Sequence, residues 1–163
     1  QLDTSVRSRF DYSGEDGPDF SGMPVKPWRM GPDKALIELP LSTAYVGALA
    51  GIGDTFLPAL TQGGLAAGLL SRSGLLQRIP LTPEGISATQ AIRAIDALLA
   101  SGLKLLVFSF HSPTLAPGIT PYVRNEADLA GFYRWWDDVL GHLARNGITP
   151  AGQDDILAAC APR

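Results

Sequence analysis

Apolar runs alternate with polar, proline- and glycine-rich stretches along the chain, and this alternation predicts strands and helices in succession. Residues 103–110 are the strongest strand candidate, because their nearly unbroken apolar run is typical of a strand covered on both faces. Weaker strand candidates are residues 2–6, 35–41, 76–81 and 148–149. Since strands and helices take turns along the sequence, the pattern predicts βα units with parallel strand pairing.

Two long helices are predicted from apolar residues that recur at helical spacing. The first begins at Thr82-Pro83-Glu84, with Thr82 as N-cap, Pro83 as the first helical residue and Glu84 as an acid in the first turn. Gly102 is the predicted stop of this helix, because glycine readily adopts the left-handed conformation that ends many helices.

The second long helix is predicted to begin after its N-cap Asn125 and to end near Gly147. It carries a tryptophan pair, of which we expect Trp136 in the core and Trp135 partly exposed. Further helical segments are predicted within residues 45–75 and over residues 154–160.

Two loops follow predicted strands. Residues 11–33 form a long loop, because glycine and proline recur throughout them, and residues 111–124 form a second loop. In βα folds the chemistry lies in loops beyond the carboxyl ends of strands, so both loops are candidate site loops. The acids Glu15, Asp16 and Asp19 of the first loop lack the ligand spacing of a calcium-binding loop.

The composition is that of a single globular domain over residues 1–163, with 45% hydrophobic and 18% charged residues. The net charge is −3, so we expect no nucleic-acid partner and no membrane partner. The longest apolar region, residues 44–60, is interrupted by glycine and proline and cannot supply a membrane span of about 20 apolar residues.

The single cysteine, Cys160, excludes an internal disulfide and favours a reducing, cytoplasmic compartment, although the sequence does not determine the localisation. The chain begins at Gln1 rather than at Met, and we expect a cut, processed or partial product.

His111 is the principal chemical candidate, because it ends the predicted strand 103–110 at the edge where barrel enzymes place their chemistry. It suits general acid–base work near neutral pH, and the alternative is a histidine that only hydrogen-bonds its loop. Tyr122 and Arg124 lie in the same loop, where the planar donor fork of Arg124 suits an anionic or polyol substrate. For each of these two residues, surface solvation is the competing interpretation.

The sequence contains no recognisable metal motif. Neither His111 nor His142 has a second histidine or a carboxylate at metal-ligand spacing, and the lone Cys160 excludes a cysteine-based zinc site. We therefore predict no metal ligand and no bound cofactor in this chain.

The stretch F-S-F-H-S-P-T-L-A-P-G-I-T-P-Y-V-R at residues 108–124, followed by N-E-A-D-L, resembles the C-terminal signature of polysaccharide deacetylases of the WalW type. These proteins belong to the NodB-homology, or carbohydrate esterase family 4, group. D-T-S-V at residues 3–6, G-P-D-F at 17–20 and L-I-E-L-P-L-S-T at 36–43 are similar to segments that precede this signature in the family.

The resemblance implies an α/β fold, namely a partial, distorted TIM-like (β/α) barrel of which this chain is the C-terminal half. It implies a hydrolase that removes acetyl groups from N- or O-acetylated sugars by means of a divalent metal, often zinc. One Asp and two His from the N-terminal half hold that metal in the family. The expected partners are therefore an acetylated carbohydrate and either the N-terminal half of the same protein or a second copy of this chain.

By position, His111 matches the late histidine of the family, which protonates the leaving amine or alcohol. The resemblance further implies that Phe110, Ser112, Tyr122 and Arg124 belong to the substrate groove. Ser109 departs from the family pattern, in which the residue two places before the late histidine is usually apolar. The alternative function is a non-catalytic α/β module that binds carbohydrate or a protein partner.

Overall fold

A computed structural model describes residues 1–52 and 64–160 of the chain, which form a mixed α/β structure with small sheets. The chain divides into two compact units. The first consists of Gln1–Leu81 with Arg93–Phe108, and the second of Thr82–Ile92 with Ser109–Arg163. The single domain over residues 1–163 stays a prediction.

The first unit contains two small sheets. One consists of β1 (Leu2–Asp3), β2 (Trp28–Met30) and β3 (Leu36–Glu38), in the order β1-β3-β2. The other is an antiparallel pair of β4 (Thr43–Val46) and β5 (Gln77–Pro80). Strand β3 runs parallel to β1 and antiparallel to β2. Residues 4–35, which join the parallel strands, contain no α-helix, so this pair is not a βα unit of the predicted kind.

Parallel pairing of β1 with β3 brings two acids together, since Asp3 and Glu38 are register partners. Glu38 is fully buried, and its Oε1 accepts a hydrogen bond of 3.0 Å from the backbone N–H of Val6. Burial raises the pKa of the Glu38 carboxyl above its ordinary value, and the neighbouring Asp3 adds to this effect although the Val6 N–H opposes it.

Tyr45 and Leu76 form a buried cluster in this unit, and Leu70 of helix α1 (Gly64–Arg72) packs against it. Gly47 lies next to this cluster with a φ of 126°. A Cβ atom there would approach the carbonyl oxygen of Leu75 to 2.4 Å, so only glycine fits this position.

The first long helix, α2 (Ala88–Ala100), begins later than the sequence pattern predicts. Ser87 and Gln90 form a capping box: the Ser87 hydroxyl accepts from the Gln90 N–H at 3.3 Å, and the Gln90 amide oxygen accepts from the Ser87 N–H at 3.0 Å. The predicted start at Thr82 is therefore wrong, because this reciprocal cap satisfies the first turn beginning at Ala88. The predicted stop at Gly102 is confirmed by its φ of 82°.

Helices α3 (Glu126–Arg145) and α4 (Gln153–Ala159) belong to the second unit. Asn125 caps α3 as predicted, since its side-chain oxygen accepts a 2.9 Å hydrogen bond from the Asp128 N–H. The helix ends before Gly147, whose φ is 71°, so this predicted boundary is also confirmed. Helix α4 confirms the predicted final helix.

The tryptophan pair of α3 has the opposite burial from the prediction. Trp135 is buried with Phe132, Val139 and Leu143, whereas Trp136 is half-buried. Neighbouring residues are about 100° apart around a helix. A prediction that places the buried face of the helix one residue too far along therefore exchanges the expected burial of the two indoles.

Two of the predicted strands are absent from the described residues. Residues 103–110 run without a strand ladder, and residues 148–149 also lie outside any strand. Val107 is instead held by Ser42, whose hydroxyl accepts from the Val107 N–H at 2.9 Å and whose N–H donates to the Val107 carbonyl at 3.0 Å. Leu103 is the one buried residue of this run, whereas Lys104 and Phe110 are exposed, so the apolar run forms neither a strand nor a fully buried segment.

The remaining predicted segments are partly matched. The strands predicted over residues 2–6, 35–41 and 76–81 contain β1, β3 and β5. The predicted long loop 11–33 also contains β2 and two short 3₁₀ turns. Region 45–75 contains a 3₁₀ turn, Ala50–Ile52, and helix α1, while its residues 53–63 lie outside the described part of the chain.

A closed barrel is not present in residues 1–52 and 64–160, and the partial TIM-like barrel stays a prediction. Within the same residues, no helix combines the length and the apolar character needed to cross a lipid bilayer.

Candidate functional site

His111 is the N-cap residue of a short 3₁₀ helix, Ser112–Leu115, in the second unit. Its backbone is extended, and its carbonyl oxygen accepts a 2.9 Å hydrogen bond from the N–H of Thr114. This turn brings the Thr114 side chain back beside His111. The His111 side chain is 73% exposed, so a substrate in solution can reach it.

The Glu84 carboxylate binds both ends of this turn. Its Oε2 lies 2.7 Å from Nδ1 of His111, and its Oε1 accepts from the His111 N–H at 2.9 Å. The same Oε1 accepts from the hydroxyl of Thr114 at 2.5 Å. Three donors from one short turn therefore converge on a single carboxylate, which fixes both the backbone and the ring of His111.

Glu84 is shielded from solvent, with 5% of its side chain exposed, and Thr114 is fully buried. Burial raises the pKa of the Glu84 carboxyl. The hydrogen bonds from Thr114 and His111, together with the charge of His111, outweigh burial and bring the net pKa below its ordinary value. Glu84 is consequently ionised at neutral pH.

An ionised carboxylate at Nδ1 determines what the His111 ring can do. Nδ1 donates to Glu84, so a neutral ring carries its proton on Nδ1 and presents Nε2 as a base. When the ring is protonated, Nε2–H becomes a donor and Glu84 stabilises the imidazolium. The pair thus supports proton transfer at Nε2 of an exposed imidazole.

Phe110 packs on helix α3. Its ring meets Phe132 edge-to-face with centroids 5.4 Å apart and Trp136 with centroids 5.9 Å apart, and the residue remains 40% exposed. Ser112 is the first residue of the 3₁₀ helix and is exposed. Both predicted groove residues therefore flank His111 with accessible side chains.

Tyr122 is 49% exposed and lies against the residue that follows Glu84. A Cβ atom at Gly85 would lie 3.6 Å from Cε1 of Tyr122, and Gly85 has a φ of 79°. The Tyr122 ring therefore lies near the short segment whose Glu84 holds the His111 ring.

Arg124 uses part of its donor fork within the protein. Its Nε and its backbone N–H both donate to Oδ2 of Asp128, at 3.1 and 3.0 Å. These hydrogen bonds lower the pKa of the Asp128 carboxyl below its ordinary value. The Arg124 side chain is 73% exposed, so this pair contributes little stability but orients the guanidinium at the start of α3.

A cavity of about 320 Å³ lies beside this pair in the second unit. Its wall includes Pro83, Tyr122, Asp128, Gly131, Arg134 and Trp135. The indole N–H of Trp135 donates to the carbonyl of Ile86 at 2.9 Å, which ties α3 to the segment that carries Glu84. His111 is not part of the cavity wall.

Sequence reasoning missed Glu84 and Thr114 as site residues. Glu84 was assigned to a helix that begins only at Ala88, and its partner His111 is 27 residues away, so no local pattern joins them. Gly85, directly after Glu84, was the available signal, because glycine within a predicted first helical turn indicates a turn instead.

The acids of the long loop belong to a different unit from His111. Glu15, Asp16 and Asp19 lie in the first unit, where Asp19 forms an isolated bridge with Asp11. Among residues 1–52 and 64–160, no group of three or more His, Cys, Asp and Glu side chains could hold a metal ion. The resemblance assigns the metal ligands to an N-terminal half, and the expectation that this chain binds no metal or cofactor stays a prediction.

No protein-family model, no curated protein and no solved structure matches this chain. The resemblance of residues 108–129 to polysaccharide deacetylases stays a prediction, and the geometry of the second unit carries the functional proposal.

Proposed function

We propose that this chain supplies the leaving-group acid of a polysaccharide deacetylase-like hydrolase, which removes acetyl groups from N- or O-acetylated sugars. The observation that carries the proposal is the exposed His111 ring, held at Nδ1 by the buried, ionised Glu84. The sequence resemblance around His111 gives the reaction class, and the Glu84 contact adds a physical means of orienting the acid.

In the proposed reaction, water adds to the acetyl carbon and the bond from that carbon to the sugar nitrogen or oxygen breaks. The protonated His111 ring gives its Nε2 proton to the departing nitrogen or oxygen. The attacking water loses two protons, of which one restores the protonated His111 ring and the other passes to bulk water, so the products are acetate and a free amine or alcohol. Glu84 accepts from Nδ1–H throughout, and its negative charge stabilises the imidazolium before the transfer. In the family that the chain resembles, residues of the N-terminal half hold the metal, and the role proposed for this chain is that of the acid.

The exposed side chains around His111 define the proposed substrate groove. Phe110 and Tyr122 offer accessible aromatic surface, while Ser112 and Arg124 offer hydrogen-bond donors. These groups suit a carbohydrate, which has apolar ring faces and polar edges. The N-terminal half of a family enzyme, or a second copy of this chain, is the proposed protein partner.

Kinetics of acetate release test this function in the longest natural form of the protein. His111→Ala should lower kcat by about 10²–10⁴-fold with little change in KM, because a general acid acts mainly in the transition state. Unchanged turnover in this variant would remove the catalytic role of His111.

Glu84 is a positioning residue in this proposal, and Glu84→Gln tests it separately. The amide keeps the size and an acceptor for Thr114 but removes the charge, so kcat should fall by about tenfold or more. The ¹⁵N shifts of the His111 ring should show Nδ1 protonated in the native neutral form and a changed tautomer balance in the variant. His142, on α3, serves as the internal reference for these shifts.

A carbohydrate-binding module without catalysis is the second candidate, and the cavity beside Tyr122 favours it. This candidate predicts oligosaccharide binding that His111→Ala leaves intact, with no acetate released by the native protein.

A further inference from the structure

The cavity of about 320 Å³ in the second unit has the size and chemistry of a site for one ring-sized ligand. Ligand pockets span roughly 300–1,000 Å³, so this cavity is at the lower end of the range and admits one small ring rather than several. Apolar surface comes from Pro83, Phe132 and the buried Trp135, and the exposed Tyr122 ring stands at the rim.

Polar groups of both kinds reach the same cavity. Asp128 receives both hydrogen bonds from Arg124 on its Oδ2, and its other oxygen, Oδ1, is the second acceptor of the carboxylate. Arg134 lines the cavity with an exposed guanidinium and makes no ion pair to another residue of the described ranges. An acceptor and a donor on one cavity wall match the hydroxyl groups of a sugar, which both donate and accept.

Helix α3 leaves this space open at Gly131. A Cβ atom there would meet only the end of the Arg134 side chain, at 3.6 Å, which is an ordinary van der Waals contact. Glycine is a poor helix former at an interior position, so its presence here is consistent with a need for open volume. A larger side chain at residue 131 would project into the cavity without disturbing the backbone.

The cavity and His111 share one wall segment. Pro83 lines the cavity, and the next residue in the chain, Glu84, holds His111, so consecutive residues serve the two sites. Gly85, one residue further, lies near Tyr122, which is also a cavity residue, since a Cβ atom built on Gly85 would be 3.6 Å from the Tyr122 ring.

We propose that this cavity binds one sugar unit of an acetylated oligosaccharide, next to the unit whose acetyl group faces His111. This inference rests on the proposed function and names its substrate class: a chain of at least two linked sugar rings with free hydroxyl groups. The neighbouring unit is held by Asp128, Arg134 and the aromatic wall.

The test is a titration of the ¹⁵N-labelled chain with two probes, a β-1,4-linked N-acetylglucosamine tetramer and an O-acetylated xylose tetramer, each beside its monosaccharide. Trp135 reports on the cavity through its indole N–H, and Trp28, in the first unit, is the internal reference. At least one tetramer should shift the Trp135 resonance and leave Trp28 unchanged. It should also bind more tightly than its monosaccharide.

Two cavity variants and one matched control accompany the titration. Gly131→Leu fills the cavity, and Arg134→Gln removes a charged donor. Each should weaken tetramer binding by about tenfold or more, because the leucine side chain occupies the cavity in the first variant and a hydrogen bond to a charged group is lost in the second. Gly141→Leu makes the same substitution on the same helix outside the cavity wall, and tetramer binding should be unchanged.

The outcomes separate this inference from the proposed function. If the tetramers shift His111 but never Trp135, the cavity subsite is wrong and the acid function stands. If Trp135 responds while acetate release is insensitive to His111→Ala, the cavity remains a sugar site and the catalytic function is wrong. If neither tetramer shifts Trp135 or His111 at millimolar concentration, the subsite proposal is overturned.

Discussion

Removal of the Glu84 side chain is the most informative perturbation of the second unit. Glu84→Ala takes away the acceptor of three hydrogen bonds, two from His111 and one from Thr114. The consequences differ among the donors, because His111 is exposed and Thr114 is fully buried.

The magnitude follows from these exposures. Water can replace Glu84 as the acceptor for both His111 donors. Losing these two hydrogen bonds therefore changes the free energy of unfolding little. The Thr114 hydroxyl cannot reach water, and a buried donor left without an acceptor costs about 1–3 kcal/mol. The bond that it loses is charge-assisted, and we therefore expect Glu84→Ala to destabilise the protein by about 2–4 kcal/mol.

Urea denaturation at pH 7, followed by tryptophan fluorescence, measures this loss. Thr114→Val is the matched control and should cost about 1.5–3 kcal/mol alone, because it removes one hydrogen bond to a charged group and retains the shape. Added to Glu84→Ala, it should restore about 1 kcal/mol, because the stranded hydroxyl is then gone. Strictly additive losses, or a Glu84→Ala effect below about 0.5 kcal/mol, would refute the reasoning.

Other parts of the chain give three further predictions. Glu38→Gln should stabilise the protein at pH 7 and have little effect near pH 4, as measured by thermal unfolding. The folded-state pKa of Glu38 is raised, so the stability that its neutral carboxyl contributes is lost as pH rises through that pKa, whereas the glutamine amide stays neutral. Equal effects at both pH values would contradict this. Asn125→Ala should cost about 1 kcal/mol in urea denaturation by removing the α3 cap, and a neutral result would oppose the cap assignment. Gly47→Ala should cost more than about 2 kcal/mol, and an unchanged melting temperature would contradict the close contact with Leu75.

The sequence predicts best where the signal is local. Asn125 and Gly147 bracket α3 because a capping side chain and a left-handed glycine act within a few residues of the helix ends. Two local signals compete at the start of α2, where Thr82-Pro83 and the Ser87/Gln90 box both resemble helix starts. The helix begins after Ser87 because both hydrogen bonds of the Ser87/Gln90 capping box form. Gly85 adopts a positive φ, which prevents the helix from beginning earlier.

The sequence predicts poorly where a partner is distant. Residues 103–110 have the composition of a buried strand, but a strand forms only where a second strand pairs with its backbone. Val107 is instead hydrogen-bonded to Ser42, 65 residues away in the sequence. The site shows the same limit. His111 was identified from its place after the apolar run, whereas Glu84, which holds its ring, required the folded chain to bring it near.

The leaving-group dependence of the His111→Ala loss tests the central claim most directly. A leaving-group acid matters only when the departing atom needs a proton. We expect His111→Ala in the longest natural form of the protein to lower kcat by about 10²–10⁴-fold on an N-acetylated oligosaccharide. The same variant should retain nearly full activity on 4-nitrophenyl acetate, whose phenolate leaves as a stable anion. Equal losses on both substrates, or no loss on the oligosaccharide, would contradict the assignment of His111 as the acid.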